Sequence, residues 1–148
     1  MRSILIISLL GCCFAAYEAS IIPKCELARK LKAAGMDGFH GYSLENWVCM
    51  AEHESNFNTR AFNGKNANGS SDYGIFQLNS KWWCKNNSQP SANGCNTMCS
   101  KFLDDDISDD IACAKRVVKD PNEMSAWVAW VKHCKGKDLS RYLASCNL

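Results

Sequence analysis

Residues 43–79 read SLENWVCMAEHESNFNTRAFNGKNANGSSDYGIFQLN, and this stretch combines two patterns of secondary structure. Its first part, residues 43–54, has apolar residues at helical spacing behind a serine that can act as an N-cap, which predicts a helix. Its second part places the turn signal Asn68-Gly69 before the alternating residues 71–79, which predicts a hairpin with 71–79 as the return strand. We therefore expect a helix and a small antiparallel sheet to meet here.

Glu54 and Asp72 are candidates for acid–base chemistry because the predicted elements surround them differently. Glu54 extends the apolar stripe at the C-terminal end of the helix, where desolvation and the helix dipole both favour the protonated form. Asp72 is flanked by serines and amides that can hydrate it, so it should stay ionised. Such a pair can cleave a glycosidic bond, one acid protonating the leaving oxygen while the other stabilises the oxocarbenium-like centre. An alternative interpretation of these two residues alone is that Glu54 only caps a helix end and Asp72 only solvates a turn.

The N-terminal residues predict secretion. Met1-Arg2 precedes an apolar run at residues 4–16 that is too short to span a bilayer and is followed by small residues, the pattern of a signal peptide. We expect residues 1–19 to be removed and residues 20–148 to form one domain without a membrane anchor. The formal net charge of +2 suits an anionic partner. Without a basic stripe interleaved with aromatics, it does not indicate nucleic-acid binding.

The cysteines predict a disulfide framework. Eight of the ten lie beyond residue 19, an even number in a chain expected to be secreted, so four disulfides should form. Their order alone leaves the pairing open. A zinc site is less favoured, because no Cys-x-x-Cys pair occurs and His40, His53 and His133 lack ligand spacing.

Further helices are predicted on both sides of this stretch. One covers Cys25 to Ala34 with Gly35 as its stop, another follows the acidic run and ends at Asp120-Pro121, and a third covers Met124 to His133. The residues of this last helix that should face inward are Met124, Trp127, Val128 and Val131. The fold class is therefore α+β, with a helical lobe, a small antiparallel β-sheet lobe and a cleft where they meet.

Adjacent tryptophans indicate a binding surface. Trp82 and Trp83 cannot both be buried on one side of an extended chain, because successive side chains point in opposite directions, so at least one should face the cleft. Indole faces suit the apolar face of a sugar ring, and Gln77 and Asn79 can hydrogen-bond to hydroxyl or N-acetyl groups. For Trp127 two interpretations remain open: a core residue, or an apolar neighbour of Glu54 in the cleft.

Several segments resemble the C-type lysozymes. They include residues 39–44 (FHGYSL), 54–59 (ESNFNT), 71–80 (SDYGIFQLNS) and 126–130 (AWVAW). The resemblance extends over essentially all of residues 20–148 and includes every cysteine there. It implies a lysozyme-like fold and a monomeric muramidase that hydrolyses, with retention, the β-1,4 bond between N-acetylmuramic acid and N-acetylglucosamine of bacterial peptidoglycan. The implied disulfides are Cys25–Cys146, Cys49–Cys134, Cys84–Cys99 and Cys95–Cys113.

The resemblance also implies residue roles. Glu54 would be the general acid and Asp72 the nucleophile or electrostatic stabiliser, with Trp127 packed against the acid. Saccharide contacts are implied for Asn79, Trp82, Trp83, Asp120 and Ala126. The alternative is an α-lactalbumin-like protein, a non-catalytic modulator of a galactosyltransferase, which shares the fold and disulfides. Because α-lactalbumins lack the acid at the position of Glu54, the active-site pair favours the enzyme.

Residues 101–110, KFLDDDISDD, contain five aspartates in seven positions. Such a run is commonly a solvated helix N-terminus, where the dipole favours negative charge. It is not an EF-hand, because the central glycine and the final glutamate are missing. It resembles the calcium loop of α-lactalbumins and of the calcium-binding lysozymes, notably those of milk. That resemblance implies one structural Ca²⁺, with Asp105 pointing outward. The implied ligands are the side chains of Asp104, Asp109 and Asp110 and the backbone carbonyls of Lys101 and Asp106.

Overall fold

The computed structural model describes residues 20–148, and the predicted signal peptide at residues 1–19 lies outside the described residues. The described chain forms four α-helices, three two-residue strands and four 3-10 helices. The α-helices are α1 (Lys24–Ala33), α2 (Leu44–Ser55), α3 (Ser108–Val117) and α4 (Val128–His133). The strands are β1 (Phe62–Asn63), β2 (Asp72–Tyr73) and β3 (Leu78–Asn79). The 3-10 helices are Phe39–Gly41, Cys99–Leu103, Glu123–Ala126 and Ala144–Cys146. The predicted α+β class is confirmed.

Helix α2 forms where the sequence predicts it. The Ser43 side chain accepts a hydrogen bond from the backbone N–H of Asn46 at 3.4 Å, which satisfies one of the free donors at the helix start. The helix ends at Asn56, which adopts a left-handed conformation with φ of 52°. Its apolar face is buried against α1 and α4, with Trp47 fully inaccessible. Glu54 consequently lies in the last turn of a helix that is fixed by the core.

The sheet is antiparallel with the order β1-β2-β3. Asp72 in the middle strand lies opposite Asn63 on one side and Asn79 on the other. The prediction of one strand over residues 71–79 is wrong, because the chain turns between β2 and β3. Gly74 and Gln77 have φ of 80° and 50°, which an extended strand does not contain. Periodicity along the chain cannot distinguish one strand from two short strands around a tight turn.

The prediction of a continuous helix over Met124 to His133 is also wrong. A 3-10 helix ends at Ala126, Trp127 is extended with φ of −93° and ψ of 108°, and α4 begins at Val128. The Trp127 indole N–H donates to the Phe76 carbonyl at 2.7 Å, and its ring is buried. This tertiary contact interrupts the helix and turns Val128 and Val131 outward, where they are 72% and 41% exposed.

Four disulfides hold the irregular parts of the chain, and their pairing agrees with the one implied by the family resemblance. Cys49–Cys134 joins α2 to the end of α4, and Cys25–Cys146 joins positions 121 residues apart. The long polar segment after β3 is fixed by Cys84–Cys99 and Cys95–Cys113. Within residues 20–148, no helix has the length and apolar character needed to cross a bilayer.

Candidate active site and calcium loop

Glu54 occupies a partly apolar site at the end of α2. Its side chain is half-buried, and its Oε2 accepts a hydrogen bond from the backbone N–H of Ala129 in α4 at 3.3 Å. Desolvation by burial raises the pKa of Glu54 to about 7; the Ala129 N–H opposes this shift, and the negative charge of Asp72 adds to it. Near neutral pH a large fraction of Glu54 therefore holds a proton that it can donate.

Asp72 is surrounded by hydrogen-bond donors. Its Oδ2 accepts from the side-chain amide of Asn66 at 3.0 Å, and its Oδ1 accepts from that of Asn79 at 2.8 Å. Both amides also donate to the Ser70 hydroxyl oxygen, so the two asparagines are held in place by a shared partner. Donors to both carboxylate oxygens hold the group in a fixed orientation. The two acids thus differ in their environments as the sequence predicts.

An open cleft with a volume of about 910 Å³ contains both carboxylates. Its lining includes every residue for which the sequence predicts a substrate contact: Gln77, Asn79, Trp82, Trp83, Asp120, Ala126 and Trp127. Trp82 is 54% exposed, which leaves its indole face available to a sugar ring. Trp127 is both buried and part of the cleft wall, so the two interpretations left open by its spacing are compatible.

Some of these side chains have structural partners. Gln77 donates its amide to the backbone carbonyls of Ala61 and Gly74 at 3.1 and 3.0 Å, which holds the turn between β2 and β3. Asp120 accepts from Arg116 at 2.8 Å, and the Arg116 guanidinium lies 5.6 Å from the centre of the Trp83 ring. Gln77 and Asp120 therefore shape the cleft as well as lining it.

Sequence reasoning missed three contributors to the site. Asn66 lies in the loop before β2, and only the hairpin geometry brings its amide to Asp72. Ala129 contributes a backbone N–H, which leaves no signal in a side-chain pattern. Arg116 lines the cleft from the end of α3. The asparagine-rich composition of residues 63–68 was the available clue to Asn66.

The acidic run, residues 101–110, forms an acidic loop that begins in the 3-10 helix Cys99–Leu103 and ends in the first turn of α3. Asp110 is fully buried, and neither of its carboxylate oxygens has a hydrogen-bond partner. Burial raises the pKa of Asp110 to about 9, with a further contribution from the neighbouring Asp109 carboxylate. Asp105 points away from the loop, with its carboxylate paired to Arg60 at 3.2 Å and accepting from Thr59 at 2.9 Å. A buried, unpartnered carboxylate fits a cation ligand.

Among the described residues, three potential metal-ligating atoms lie close together outside the acidic loop. The sulfurs of Cys49 and Cys134 and a ring nitrogen of His53 lie within 4.8 Å of one another. Because the two sulfurs are joined in a disulfide, they are not thiolates and cannot hold zinc. The carboxylates of the acidic run are not gathered as closely, so the loop would have to tighten around an ion.

Three comparisons relate the chain to known proteins. A model of the C-type lysozyme/alpha-lactalbumin family matches residues 20–146. The milk isozyme of lysozyme C from Canis lupus familiaris is 86% identical over 128 residues, covering 86% of this chain and 99% of that protein. The crystal structure of canine milk lysozyme in its apo form has a TM-score of 0.85 at 86% identity and the same coverage. A calcium-binding lysozyme from equine milk has a TM-score of 0.84 at 77% identity, covering 86% of this chain and 99% of that one.

Proposed function

This chain belongs to the C-type lysozyme/α-lactalbumin family, and from that premise we propose that Glu54 and Asp72 carry out the hydrolysis in its cleft. The protein is a lysozyme, a muramidase that cleaves the β-1,4 bond between N-acetylmuramic acid and N-acetylglucosamine. The observation that carries the assignment of residues is the contrast between a half-buried Glu54 and an amide-bound Asp72 in one cleft.

Glu54 acts as the general acid. Its pKa of about 7 lets it hold a proton near neutral pH and give it to the oxygen of the leaving sugar. Lysozyme is the type case of a carboxylic acid whose pKa is raised by an apolar pocket, so the chemistry follows a known pattern. In the second half of the reaction the resulting carboxylate takes a proton from the attacking water.

Asp72 stabilises or captures the positive centre that develops on the sugar ring. The amides of Asn66 and Asn79 donate to its two carboxylate oxygens and fix its orientation on β2. The exposed Trp82 and the neighbouring Trp83 provide apolar surface for adjacent sugar rings. Asp120, Ala126 and Trp127 also line the proposed saccharide site.

The α-lactalbumin alternative is not favoured. The highly similar relatives are lysozymes C, and this chain has a carboxylic acid at position 54, facing the cleft. A protein that only modulates another enzyme has no need of a raised pKa at that place.

The variant Glu54→Gln tests the assignment, because it removes the proton donor while keeping the shape of the side chain. We expect clearing of a bacterial cell-wall suspension to slow by roughly 10²–10⁴-fold. The matched control is Glu26→Gln, the same change of charge at an exposed position on α1. Equal clearing by Glu54→Gln and the control would remove Glu54 from the mechanism.

We further propose that the acidic loop binds one Ca²⁺ with a structural role. Support comes from the buried Asp110 carboxylate, whose oxygens lack partners, and from the similarity to a calcium-binding lysozyme of equine milk. The side chains of Asp104 and Asp109 would be the other carboxylate ligands. The backbone carbonyls of Lys101 and Asp106 would also bind the ion. When bound, the ion neutralises the clustered charges; it takes no part in bond cleavage.

We also propose that the protein is secreted as a monomer and acts on bacterial walls outside the cell. The support is the signal-peptide pattern at residues 1–19 and the similarity to lysozymes of milk. N-terminal sequencing of the secreted product should begin near residue 20, and its mass in solution should be that of a single chain. An unprocessed N-terminus would contradict the first point, and a dimeric mass the second.

A further inference from the structure

Two histidines outside the cleft lie face to face. The imidazole rings of His53 and His133 have their centroids 4.4 Å apart and their planes 12° apart. Both side chains are exposed, so ions in solution can reach them. Neither residue lines the cleft, and the proposed hydrolysis uses neither of them.

The backbone beneath the two rings is held by a disulfide. Cys49 lies four positions before His53 on α2 and therefore on the same face of that helix. Cys134 directly follows His133, the last residue of α4. The Cys49–Cys134 bond fixes the two Cα atoms 6.1 Å apart, and a nitrogen of His53 lies within 4.8 Å of both sulfurs. The histidine pair is thus positioned by a covalent link between its two helices.

From this arrangement we propose that His53 and His133 together chelate a late first-row divalent cation such as Zn²⁺, Cu²⁺ or Ni²⁺. Neutral imidazole nitrogen suits these ions, whereas Ca²⁺ takes oxygen ligands, so the site is chemically distinct from the acidic loop. Water molecules complete the coordination shell, because the pair supplies two ligands at the protein surface.

A shared ion requires the two rings to leave their stacked arrangement, because the lone pair of an imidazole nitrogen lies in the ring plane and the two planes are only 12° from parallel. With metal–nitrogen bonds of about 2.0–2.1 Å and a near-tetrahedral angle, the two nitrogens must lie about 3.3 Å apart. Because both side chains are exposed, each ring can rotate about its side-chain torsions, and a substantial tilt of both rings is needed to turn one nitrogen of each toward the ion. The pre-set position of the helices means that little conformational freedom is lost on binding.

The local charges both support and limit the affinity. The rings lie at the C-terminal ends of α2 and α4, where the free carbonyls favour a cation. Lys132 and Lys135 are close in the chain and oppose it, although Lys135 is directed toward Ser125 and Trp130. The cation should therefore bind reversibly and stabilise the folded state by mass action.

The experiment uses the folded, disulfide-bonded protein saturated with Ca²⁺, so that the acidic loop does not respond to the added metal. Zn²⁺ is titrated by calorimetry into the wild type, His53→Gln, His133→Gln and the control His40→Gln. The control alters the one histidine of the chain that is not in the pair. We expect one Zn²⁺ per wild-type chain, and binding at least about tenfold weaker in each of the first two variants. The control should bind like the wild type.

A second readout separates a pair of ligands from a single histidine. In the electron paramagnetic resonance spectrum of the Cu²⁺ complex, we expect nitrogen hyperfine structure from two imidazoles in the wild type and from one in His53→Gln. Acidification should release the metal, because protonated imidazole cannot bind it. Absence of Zn²⁺ binding in the wild type, or unchanged binding in both pair variants, would overturn the proposal, as would a one-nitrogen Cu²⁺ spectrum. Circular dichroism establishes that each variant is folded.

Discussion

At the scale of single residues, burial of Glu54 makes activity depend on pH. Its pKa is raised from an ordinary value of 4.5 to about 7, and a general acid, the role we propose for Glu54, must hold its proton. We therefore expect kcat/KM on a soluble chitooligosaccharide to fall as the pH rises through about 7. The pH profile at constant ionic strength measures this limb. A descending limb near 4.5 would mean that burial does not control the acid.

The same burial predicts a cost in stability. A carboxylic acid whose pKa is higher in the folded state contributes stability that is fully present below pH 4.5 and lost as the pH rises through about 7. Glu54→Gln has no charge to bury, so it should be more stable than the wild type at pH 8 by about 1–3 kcal/mol and nearly equal at pH 4. Denaturant unfolding of both proteins at the two pH values measures the difference. A constant difference would argue against this linkage.

Asn66 should matter for catalysis although it is not an acid or a base. Its amide donates to Asp72 at 3.0 Å, and removing this donor leaves one carboxylate oxygen without the partner that helps to orient it. We expect Asn66→Ala to lower kcat about tenfold with a smaller change in KM. The control is Asn63→Ala in β1, whose exposed side chain lies opposite Asp72 in the sheet and accepts from the Lys65 N–H, but donates no hydrogen bond to Asp72. Steady-state kinetics with unchanged kcat in Asn66→Ala would contradict this role.

At the scale of elements, the turn between β2 and β3 connects the sheet to the acidic loop through Gly74. Its φ is 80°, and a Cβ there would overlap the Phe102 carbonyl oxygen and lie 2.5 Å from Oδ2 of Asp110. A side chain at this position must therefore displace both the 3-10 helix and the buried carboxylate. The proposed calcium loop therefore contacts, at Gly74, the same hairpin that orients Asp72.

Gly74→Ala should consequently destabilise the fold and weaken calcium binding. The control is Gly41→Ala, where φ is 85° but a Cβ would meet nothing within 4 Å, so that it reports backbone strain alone. We expect Gly41→Ala to cost about 1–2 kcal/mol and leave calcium affinity unchanged. Thermal unfolding and calcium titration of both variants measure the two effects. Equal results for the two glycines would show that the contact with Asp110 is unimportant.

At the scale of the whole molecule, calcium should stabilise the native state because the unfolded chain has no formed loop. Free calcium at about 100 times its Kd adds roughly 2.7 kcal/mol. We expect a chelator to lower the Tm and added calcium to restore it, as followed by calorimetry. Asp110→Asn should abolish the response, whereas Asp105→Asn, which alters an exposed carboxylate paired with Arg60, should retain it. If adding chelator leaves the Tm of the wild type unchanged, the calcium proposal is contradicted.

The sequence by itself determined the features that depend on local residue patterns and on composition. The cap at Ser43 and the apolar spacing predicted α2 and placed Glu54 at its end. The cysteine count predicted four disulfides, and family resemblance supplied their pairing. Local patterns pointed to Gln77, Asn79 and the Trp82-Trp83 pair as cleft residues, and family resemblance supplied Asp120 and Ala126.

Only the tertiary structure decided the features that join distant positions. The indole of Trp127 bonds to Phe76, 51 positions away, and this contact breaks the predicted helix and exposes Val128. Ala129 reaches Glu54 across 75 positions, and His53 meets His133 on a second helix. Periodicity records which face of a segment is apolar, but it does not record which other segment covers that face. Those contacts depend on packing of the whole chain, which also buries Glu54 and so raises its pKa.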